Sequence, residues 1–202
     1  MVETYQRRSA LAHFGLNALT GQNRPDAGVT VGEIAHRAII NIRGDAGDLA
    51  FTSAVRNATG LDLPVANTVS MNDDPRILWL GPNEWWVVAS DARREELIER
   101  LRGAFAGQHT ALIDVSESRT VITVTGPAAR DVLARGISLD LHPRAFGPGQ
   151  CAQTGMAKAN IVLHQTDNAP SYDIYILKSF SDYLWRWIGF VAEDFGLAVR
   201  TD

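Results

Sequence analysis

Cysteine and long hydrophobic runs are both scarce in this sequence. Cys151 is the single cysteine among 202 residues, so the chain cannot form an internal disulfide. A zinc site with four ligands would have to take most of them from five scattered histidines. No apolar stretch approaches the roughly 20 residues that span a bilayer, and polar residues interrupt the short apolar stretch that follows Arg7 and Arg8. We therefore expect a soluble cytoplasmic protein that binds no metal and no membrane.

An excess of charge of one sign is also missing. The chain has 19 Lys and Arg against 23 Asp and Glu, which gives a formal net charge of -4. That balance excludes a polycationic nucleic-acid binder and an acidic disordered tail. With 46% hydrophobic residues, a chain of this length can bury about 70% of the surface that its unfolded form exposes. We expect a globular protein with a substantial core and no nucleic-acid partner.

Short catalytic motifs are absent as well. The sequence has no dinucleotide-binding GxGxxG, no P-loop, no HExxH and no CxxC. Cys151 could serve as a nucleophile if His142 or His164 lay beside it, because a thiolate needs a base or a positive field at neutral pH. A free cysteine at the start of a strand is more often a small buried hydrophobe. The sequence therefore predicts no catalytic, cofactor-binding or metal-binding residue, with a cysteine-dependent hydrolase as an alternative.

The hydrophobic pattern that is present predicts two similar halves. Residues 1–29 are polar, with Gly21, Asn23, Pro25 and Gly28 as breakers, and they are expected to form an irregular N-terminal arm. Residues 30–202 are expected to form one domain, with halves at about 30–116 and 117–202. The first half contains a strand at 31–42, a helix at 47–59, a hairpin at 77–89, a helix capped by Asp91 and a strand at 110–115.

The second half repeats this order. Its strands are expected at 119–125, 151–156, 160–165, 172–177 and 197–200. Gly126-Pro127 is expected to open a helix with the proline at its first position. Ser179 and Asp182 resemble a capping box at the start of the last helix. We predict an α+β fold, a tandem, pseudo-duplicated pair of ferredoxin-like split βαβ units in which each antiparallel sheet carries helices on one face. The buried stripe of the last helix is predicted to be Phe180, Tyr183, Leu184, Trp187, Ile188, Val191 and Phe195.

Tryptophan is unusually clustered. Trp79, Trp85 and Trp86 lie on the predicted hairpin, and Trp185 and Trp187 lie on the last helix. Side chains alternate across a strand, so Trp85 and Trp86 must face opposite ways. The core is expected to cover one face of the hairpin, and either a partner or the N-terminal arm the other. Trp187 is predicted to face the core and Trp185 to lie to its side.

Several distinctive stretches lie between about residues 8 and 198, and the most specific are the tryptophan hairpin, with Trp79-Leu80-Gly81-Pro82-Asn83-Glu84-Trp85, and the loop at 139–154. Together these stretches resemble the gamma subunit family of heterotetrameric sarcosine oxidase. Asn83 stands where the family often has aspartate, and Trp86 where an aliphatic residue is common. The remaining stretches lie at 8–13, 42–45, 61–64, 67–69, 114–116 with Arg119, 126–130 and 179–185.

This resemblance implies a fold similar to the folate-binding domain of the glycine-cleavage T-protein. It also implies partner subunits alpha, beta and delta in a complex that demethylates sarcosine oxidatively. The products would be glycine, hydrogen peroxide and 5,10-methylene-tetrahydrofolate. FAD, FMN, NAD, tetrahydrofolate and zinc would all be bound by the partner subunits, and no cofactor by this chain.

We accordingly expect a non-catalytic assembly subunit. The alternative is a free-standing folate-binding protein similar to an aminomethyltransferase, which rests on the fold alone. Tryptophan and other aromatic residues are enriched in interface cores. The residues expected at subunit interfaces are His13, Trp79, Trp85, Trp86, Arg119, His142 and Trp185.

Overall fold

The fold is seen in a computed structural model that describes residues 7–20 and 26–201. The N-terminal segment contains a short helix, α1, and the strands and helices of the first half follow it. In chain order these elements are α1 (Leu16–Thr20), β1 (Val29–Ile34), β2 (Arg37–Arg43), α2 (Leu49–Thr59), β3 (Val69–Met71), β4 (Arg76–Gly81), β5 (Glu84–Ser90), α3 (Arg94–Ala104) and β6 (Ala111–Asp114).

The second half has the longest helix of the described residues at its end. Its elements are β7 (Arg119–Thr125), α4 (Ala129–Ala134), β8 (Cys151–Met156), β9 (Ala159–Asp167), β10 (Ser171–Leu177), α5 (Lys178–Ala192) and β11 (Leu197–Thr201). The bounds of β7 and β8 are those predicted from the sequence. Helix α4 begins two residues after Pro127, so the prediction that this proline occupies the first helical position is wrong.

The strands form two sheets. One sheet has five strands in the order β3-β4-β5-β2-β6, and the other has six in the order β11-β1-β7-β10-β9-β8. Strands β1 and β11 run parallel to each other, and the other neighbours run antiparallel. Antiparallel pairing of strands that are distant in the chain is the expected result of split βαβ units.

The apolar run at 31–42 is two strands in different sheets. His36 has a φ of 56°, in the left-handed region that turns the chain sharply. Strand β1 therefore joins the six-stranded sheet and β2 the five-stranded one. The prediction of one continuous strand is wrong, and the boundary between sheets does not follow the predicted halves. Most residues of both strands are buried on either face, so polar alternation does not mark the break.

The molecule has four layers. Helices α2 and α3 contribute to a core on the outer face of the five-stranded sheet, and α4 and α5 to one on the outer face of the six-stranded sheet. The inner faces pack on each other through a third cluster that includes Leu78, Trp86, Cys151, Val162 and Tyr175. The predicted α+β class with helices on one face of each sheet is confirmed. That the whole forms one domain stays a prediction, which the third cluster supports.

Helix ends follow local chemistry in some places only. The Asp48 carboxylate accepts a hydrogen bond from the Ala50 amide at 2.8 Å, and Gly60, with a φ of 77°, ends α2. Asp91 does not cap α3, because it lies in a separate 3₁₀ turn and its carboxylate pairs with Arg7. The capping prediction for Asp91 is therefore wrong.

Helix α5 has no capping box. The Ser181 hydroxyl donates to the Lys178 carbonyl at 2.7 Å, and no side chain caps the helix start. The buried side is Ser181, Leu184, Trp185, Ile188, Val191 and Ala192. The predicted stripe included Phe180 and Tyr183, which are exposed, and left out Trp185, which faces the core. The prediction is therefore wrong at these three residues. Neither α5 nor any other helix in the described part of the chain is long and apolar enough to cross a membrane.

Candidate contact surface

The tryptophan hairpin is made of β4 and β5, and the chain itself covers both of its faces. Trp85 is 1% exposed and its ring centroid lies 5.7 Å from that of Phe51 on the helix side. Trp86 is 3% exposed and meets Tyr175 of the six-stranded sheet edge-on at 5.9 Å. The expectation that a partner or the arm covers the second face is wrong, because the second sheet covers it. Both side chains hold the hairpin in place within the core.

The turn at residues 81–84 projects from this anchored base. Glu84 fixes it, since its carboxylate accepts hydrogen bonds from Asn41 Nδ2 at 2.6 Å and Arg43 at 2.8 Å. Gly44 lies against the Phe51 ring, where a Cβ would come within 2.6 Å of a ring carbon. A side chain at this position would displace the turn that carries Arg43, so glycine is required here.

An apolar hollow of about 470 Å³ lies on one side of the turn. Half-buried Trp79 lines it, so of the three hairpin tryptophans this is the one near solvent. Val65 also lines the hollow and is 75% exposed. The other lining residues are Ala46, Thr52, Asp62, Leu63, Pro64, Ala66, Pro82 and Trp85. The hollow presents apolar surface to solvent beside a rigid turn.

A second hollow, of about 820 Å³, also borders the turn, and Pro82 lines both. Arg43, Asp45 and His109 supply charge and hydrogen-bonding groups there. We call the turn at 81–83 together with the residues that line the two hollows the hairpin surface. The sequence pattern missed Arg43, Asp45, Val65 and His109, although 42–45 and 61–64 are among the stretches that carry the family resemblance.

Arg119 lies behind the hairpin at the start of β7. Its guanidinium sits 4.6 Å from the centre of the Trp86 ring, which is cation-π geometry. Burial lowers the pKa of Arg119, and the charge of Glu84 opposes that effect. Arg119 thus closes the edge of the space between the sheets.

The N-terminal segment packs on α5 through Phe14 and His13. Leu11 is fully buried in the core, and Phe14 lies 6.1 Å from Trp185 between ring centres. His13 Nε2 lies 2.7 Å from an oxygen of Asp182. Residues 7–20 are therefore a packed element, and the prediction of an irregular arm is wrong for them. The predicted breakers Gly21, Asn23 and Pro25 lie outside the described residues.

An ion-pair cluster ties this segment to the rest of the chain. Glu117 accepts hydrogen bonds from Arg94 at 2.7 Å and Lys178 at 3.3 Å, and the Arg7 guanidinium forms an ion pair with it at 2.8 Å. Arg94 also pairs with Asp114 at 2.7 Å. Burial alone would raise the pKa of both carboxyls, but hydrogen bonds from Ser116 and Arg94 lower that of Asp114, and those from Arg94 and Lys178 lower that of Glu117. Both carboxylates stay ionised near neutral pH and serve as ion-pair partners.

Cys151 and His164 are cross-strand neighbours on β8 and β9, and both are fully buried. Burial raises the pKa of the Cys151 thiol to about 11 and lowers that of His164 to about 3. The thiol lies 3.3 Å from the carbonyls of Thr68 and Trp79. A neutral, sealed thiol beside a neutral imidazole is a poor nucleophile, so the geometry does not favour a cysteine-dependent hydrolase.

His142 lies apart from this pair, in the exposed loop before β8. Its Nδ1 accepts a hydrogen bond from the Arg144 amide at 3.2 Å, and its own amide donates to Asp140 at 2.9 Å. These bonds organise the loop. Among residues 7–20 and 26–201, no group of three or more His, Cys, Asp or Glu side chains is placed to hold a metal ion.

The comparisons with known proteins agree on one family. Residues 43–193 match the model of the sarcosine oxidase, gamma subunit family. The sarcosine oxidase subunit gamma of Corynebacterium sp. (strain U-96) is 30% identical over 201 residues, which are 98% of this chain and 96% of the relative. That of Arthrobacter sp. is 31% identical over 188 residues, or 92% of this chain and 89% of the relative.

Solved structures agree. A chain of heterotetrameric sarcosine oxidase from Corynebacterium sp. U-96, in complex with pyrrole 2-carboxylate, has a TM-score of 0.85 and 30% identity, and covers 94% of this chain and 96% of its own. The glycine cleavage system aminomethyltransferase T of Bartonella henselae has a TM-score of 0.64 at 15% identity, over 93% of this chain and 50% of its own. The second likeness confirms the predicted T-protein-like fold. The chain belongs to the sarcosine oxidase gamma subunit family.

Proposed function

We propose that this chain is a non-catalytic assembly subunit of a heterotetrameric sarcosine oxidase, an oxidoreductase. Its partners would be the alpha, beta and delta subunits, in the cytoplasm. The complex would convert sarcosine to glycine with formation of hydrogen peroxide and 5,10-methylene-tetrahydrofolate. FAD, FMN, NAD, tetrahydrofolate and zinc would be bound by those partners. Family membership supports this role, and so does the sealed, neutral state of Cys151 and His164.

The hairpin surface carries the proposal, because it combines rigidity with exposed apolar area. Buried Trp85 and Trp86 anchor its base, and Glu84 fixes the turn. An aliphatic or aromatic side chain of a partner would fill the hollow beside Trp79, while Arg43 and Asp45 in the other hollow would supply a polar rim. Apolar anchors surrounded by polar groups are typical of interfaces between proteins.

A single substitution tests this surface. Val65→Asp places a charge at the exposed rim of the apolar hollow, so it should weaken subunit binding while the fold stays intact. We expect about tenfold or more loss of this chain from the complex when it is co-expressed with the other subunits and isolated through a tag on one of them.

The matched control is Met71→Asp. Met71 is 44% exposed on β3 and pairs with Arg76, at the opposite end of the hairpin from the turn. The control chain should remain in the complex. Equal retention of both variants would exclude the hairpin surface as a subunit contact.

A free-standing folate-binding aminomethyltransferase-like protein is the weaker candidate. The similarity to aminomethyltransferase T lies at 15% identity and concerns the fold, and a shared fold supports many unrelated functions.

A further inference from the structure

A hollow of about 320 Å³ lies between the N-terminal segment and the ends of β1 and β11. Glu33 lines it from β1, Asn17 from α1 and Thr201 from β11. We call this space the Glu33 hollow. It shares no lining residue with the hairpin surface among the described residues, and it belongs to the other sheet.

Glu33 places a buried carboxylate in the wall of this hollow. The residue is 7% exposed. Its Oε2 accepts a hydrogen bond from the Ser9 hydroxyl and its Oε1 accepts one from the Thr120 hydroxyl, each at 2.6 Å. These partners are neutral, and no Lys, Arg or His stands among the described residues that line the hollow. Buried charges in proteins are usually paired, so a positive group that enters the hollow would gain the partner role that this chain leaves open.

The two hydroxyls position the carboxylate without neutralising it. A hydroxyl has one proton to donate, and Ser9 and Thr120 both donate theirs to Glu33. An ionised carboxylate can accept about four hydrogen bonds, so about two remain available. Ser9 also lines the hollow, and its oxygen keeps its lone pairs. Glu33 and Ser9 therefore present acceptors to the hollow, which suits a cation that carries several donors.

The placement of the acceptors favours an ammonium group. The side-chain oxygens of Glu33, Asn17 and Thr201 come from three different elements. An ammonium group is a compact charge whose three donors point in different directions, whereas a guanidinium presents its donors in one planar fork. Acceptors on three separate elements match the first geometry better than the second.

The rest of the wall suits an alkyl stem. Ala12, Leu16 and Ala35 line the hollow and carry no polar side-chain atom. Alkyl stems of amines pack along apolar surface of this kind while the charged head reaches a polar group. A divalent metal ion would need several oxygen ligands with more than one carboxylate. Within residues 7–20 and 26–201, no three His, Cys, Asp or Glu side chains gather for that purpose.

We propose that the Glu33 hollow binds a primary alkylammonium group, with the Glu33 carboxylate as its counter-charge. The group belongs either to a free amine or to a lysine side chain of another subunit, since both carry the same charged head and alkyl stem. The inference rests on residues of this chain alone and does not depend on the assembly role.

The test is a titration of the full chain with n-butylammonium chloride at constant ionic strength, followed through its backbone amide NMR signals. We expect saturable shifts at Ser9, Asn17 and Thr201, which line the hollow. Neither 1-butanol, which lacks the charge, nor potassium chloride, which lacks the stem, should produce them. Glu33→Gln should weaken binding about tenfold or more, because it removes a charge-assisted hydrogen bond.

Two further variants separate the site from general effects. Glu99→Gln removes the same charge from an exposed position on α3, so it should bind like the unmodified chain. Ala12→Leu keeps Glu33 but narrows the hollow from an exposed position, so it should also weaken binding and covers the case in which Glu33→Gln does not fold. The inference is overturned if the unmodified chain shows no saturable shift, if either hollow variant folds and binds as tightly as the unmodified chain, or if butanol or potassium gives the same shifts.

A final comparison identifies the source of the amine. Ligand-observed NMR of n-butylammonium is recorded with two co-purified complexes, one with the unmodified chain and one with Glu33→Gln, so that their difference isolates this hollow. A difference like that of the chain alone shows that the hollow stays open to a free amine in the complex. If binding occurs in the chain alone and the two complexes do not differ, a group of another subunit fills the hollow. A photo-reactive residue at exposed position 17 should then link to a lysine-containing peptide of that subunit, and a link to a peptide without lysine would overturn the inference.

Discussion

His164 and Cys151 lie side by side on adjacent strands of the six-stranded sheet, and burial keeps each of them uncharged. The thiol is protonated because burial raises its pKa to about 11, and the imidazole is neutral because burial, assisted by the nearby Arg76 charge, lowers its pKa to about 3. Side chains that would serve catalysis on a surface are structural in this position. The same burial has a measurable effect on stability.

His164 should make the protein less stable in mild acid. The unfolded imidazole takes up a proton near pH 6.5 and the folded one only near pH 3, so stability is complete above pH 6.5 and falls as pH decreases between those values. At pH 5 the loss from this group is about 2 kcal/mol. Urea titrations at pH 7 and pH 5 should show this difference, and His164→Gln should remove it.

His109→Gln provides the control for that measurement, because His109 is exposed on the hairpin surface. The control should keep the full dependence on pH. A His164→Gln variant with the same dependence as the unmodified protein would show that the imidazole is not held neutral in the fold.

Among the elements, the N-terminal segment gains its order from a few anchors. Leu11 is fully buried in the core that α4 and α5 share. Ser9 donates to Glu33 at 2.6 Å, and Glu33 also accepts from Thr120. Buried apolar contacts of this kind contribute more to stability than exposed ion pairs such as His13–Asp182.

Leu11→Ala should therefore destabilise the whole protein. The substitution leaves a cavity in the main core, and such changes cost about 2–5 kcal/mol. Urea unfolding should show the loss as a lower midpoint with little change in slope. His13→Ala, which removes the exposed pair with Asp182 and a ring contact with the neighbouring Phe14, should leave the midpoint nearly unchanged. Equal midpoints for Leu11→Ala and the unmodified chain would mean that residues 7–20 are not packed in solution.

A helix or strand can be predicted from the sequence when the residues at its ends are part of the local pattern. Helix α2 could be predicted because Phe51, Val55 and Ala58 recur at helical spacing and Gly60 ends the run. The break at His36 could not, because β1 and β2 are both buried on two faces and present one continuous apolar run.

Aromatic residues explain the other differences. On α5 they occur on two sides, so periodicity alone could not tell the core side from the exposed one. On the hairpin, the opposite directions of Trp85 and Trp86 follow from strand geometry. That the second sheet covers Trp86 depends on how two distant parts of the chain pack together. The hollows of the hairpin surface are tertiary features for the same reason.

At the scale of the whole molecule, Cys151 and His164 are buried within the fold, and the hairpin surface is available to a partner on the outside. The hairpin surface lies at one end of the five-stranded sheet, and Glu117 links the N-terminal segment, α3 and α5 through ion pairs. This arrangement suits a chain that joins other subunits better than one that acts alone. Because the fold is similar to that of aminomethyltransferase T, the folate-binding alternative can be tested with the same purified chain.

The most direct measurement is to isolate this chain, through a tag of its own, from cells that also express the alpha, beta and delta subunits, and to record the absorbance spectrum. We expect all four subunits to co-purify as a yellow complex, while the chain expressed alone is colourless. Purification of a chain without partners from the co-expressing cells, or flavin absorbance in the chain alone, would contradict its role as a non-catalytic assembly subunit.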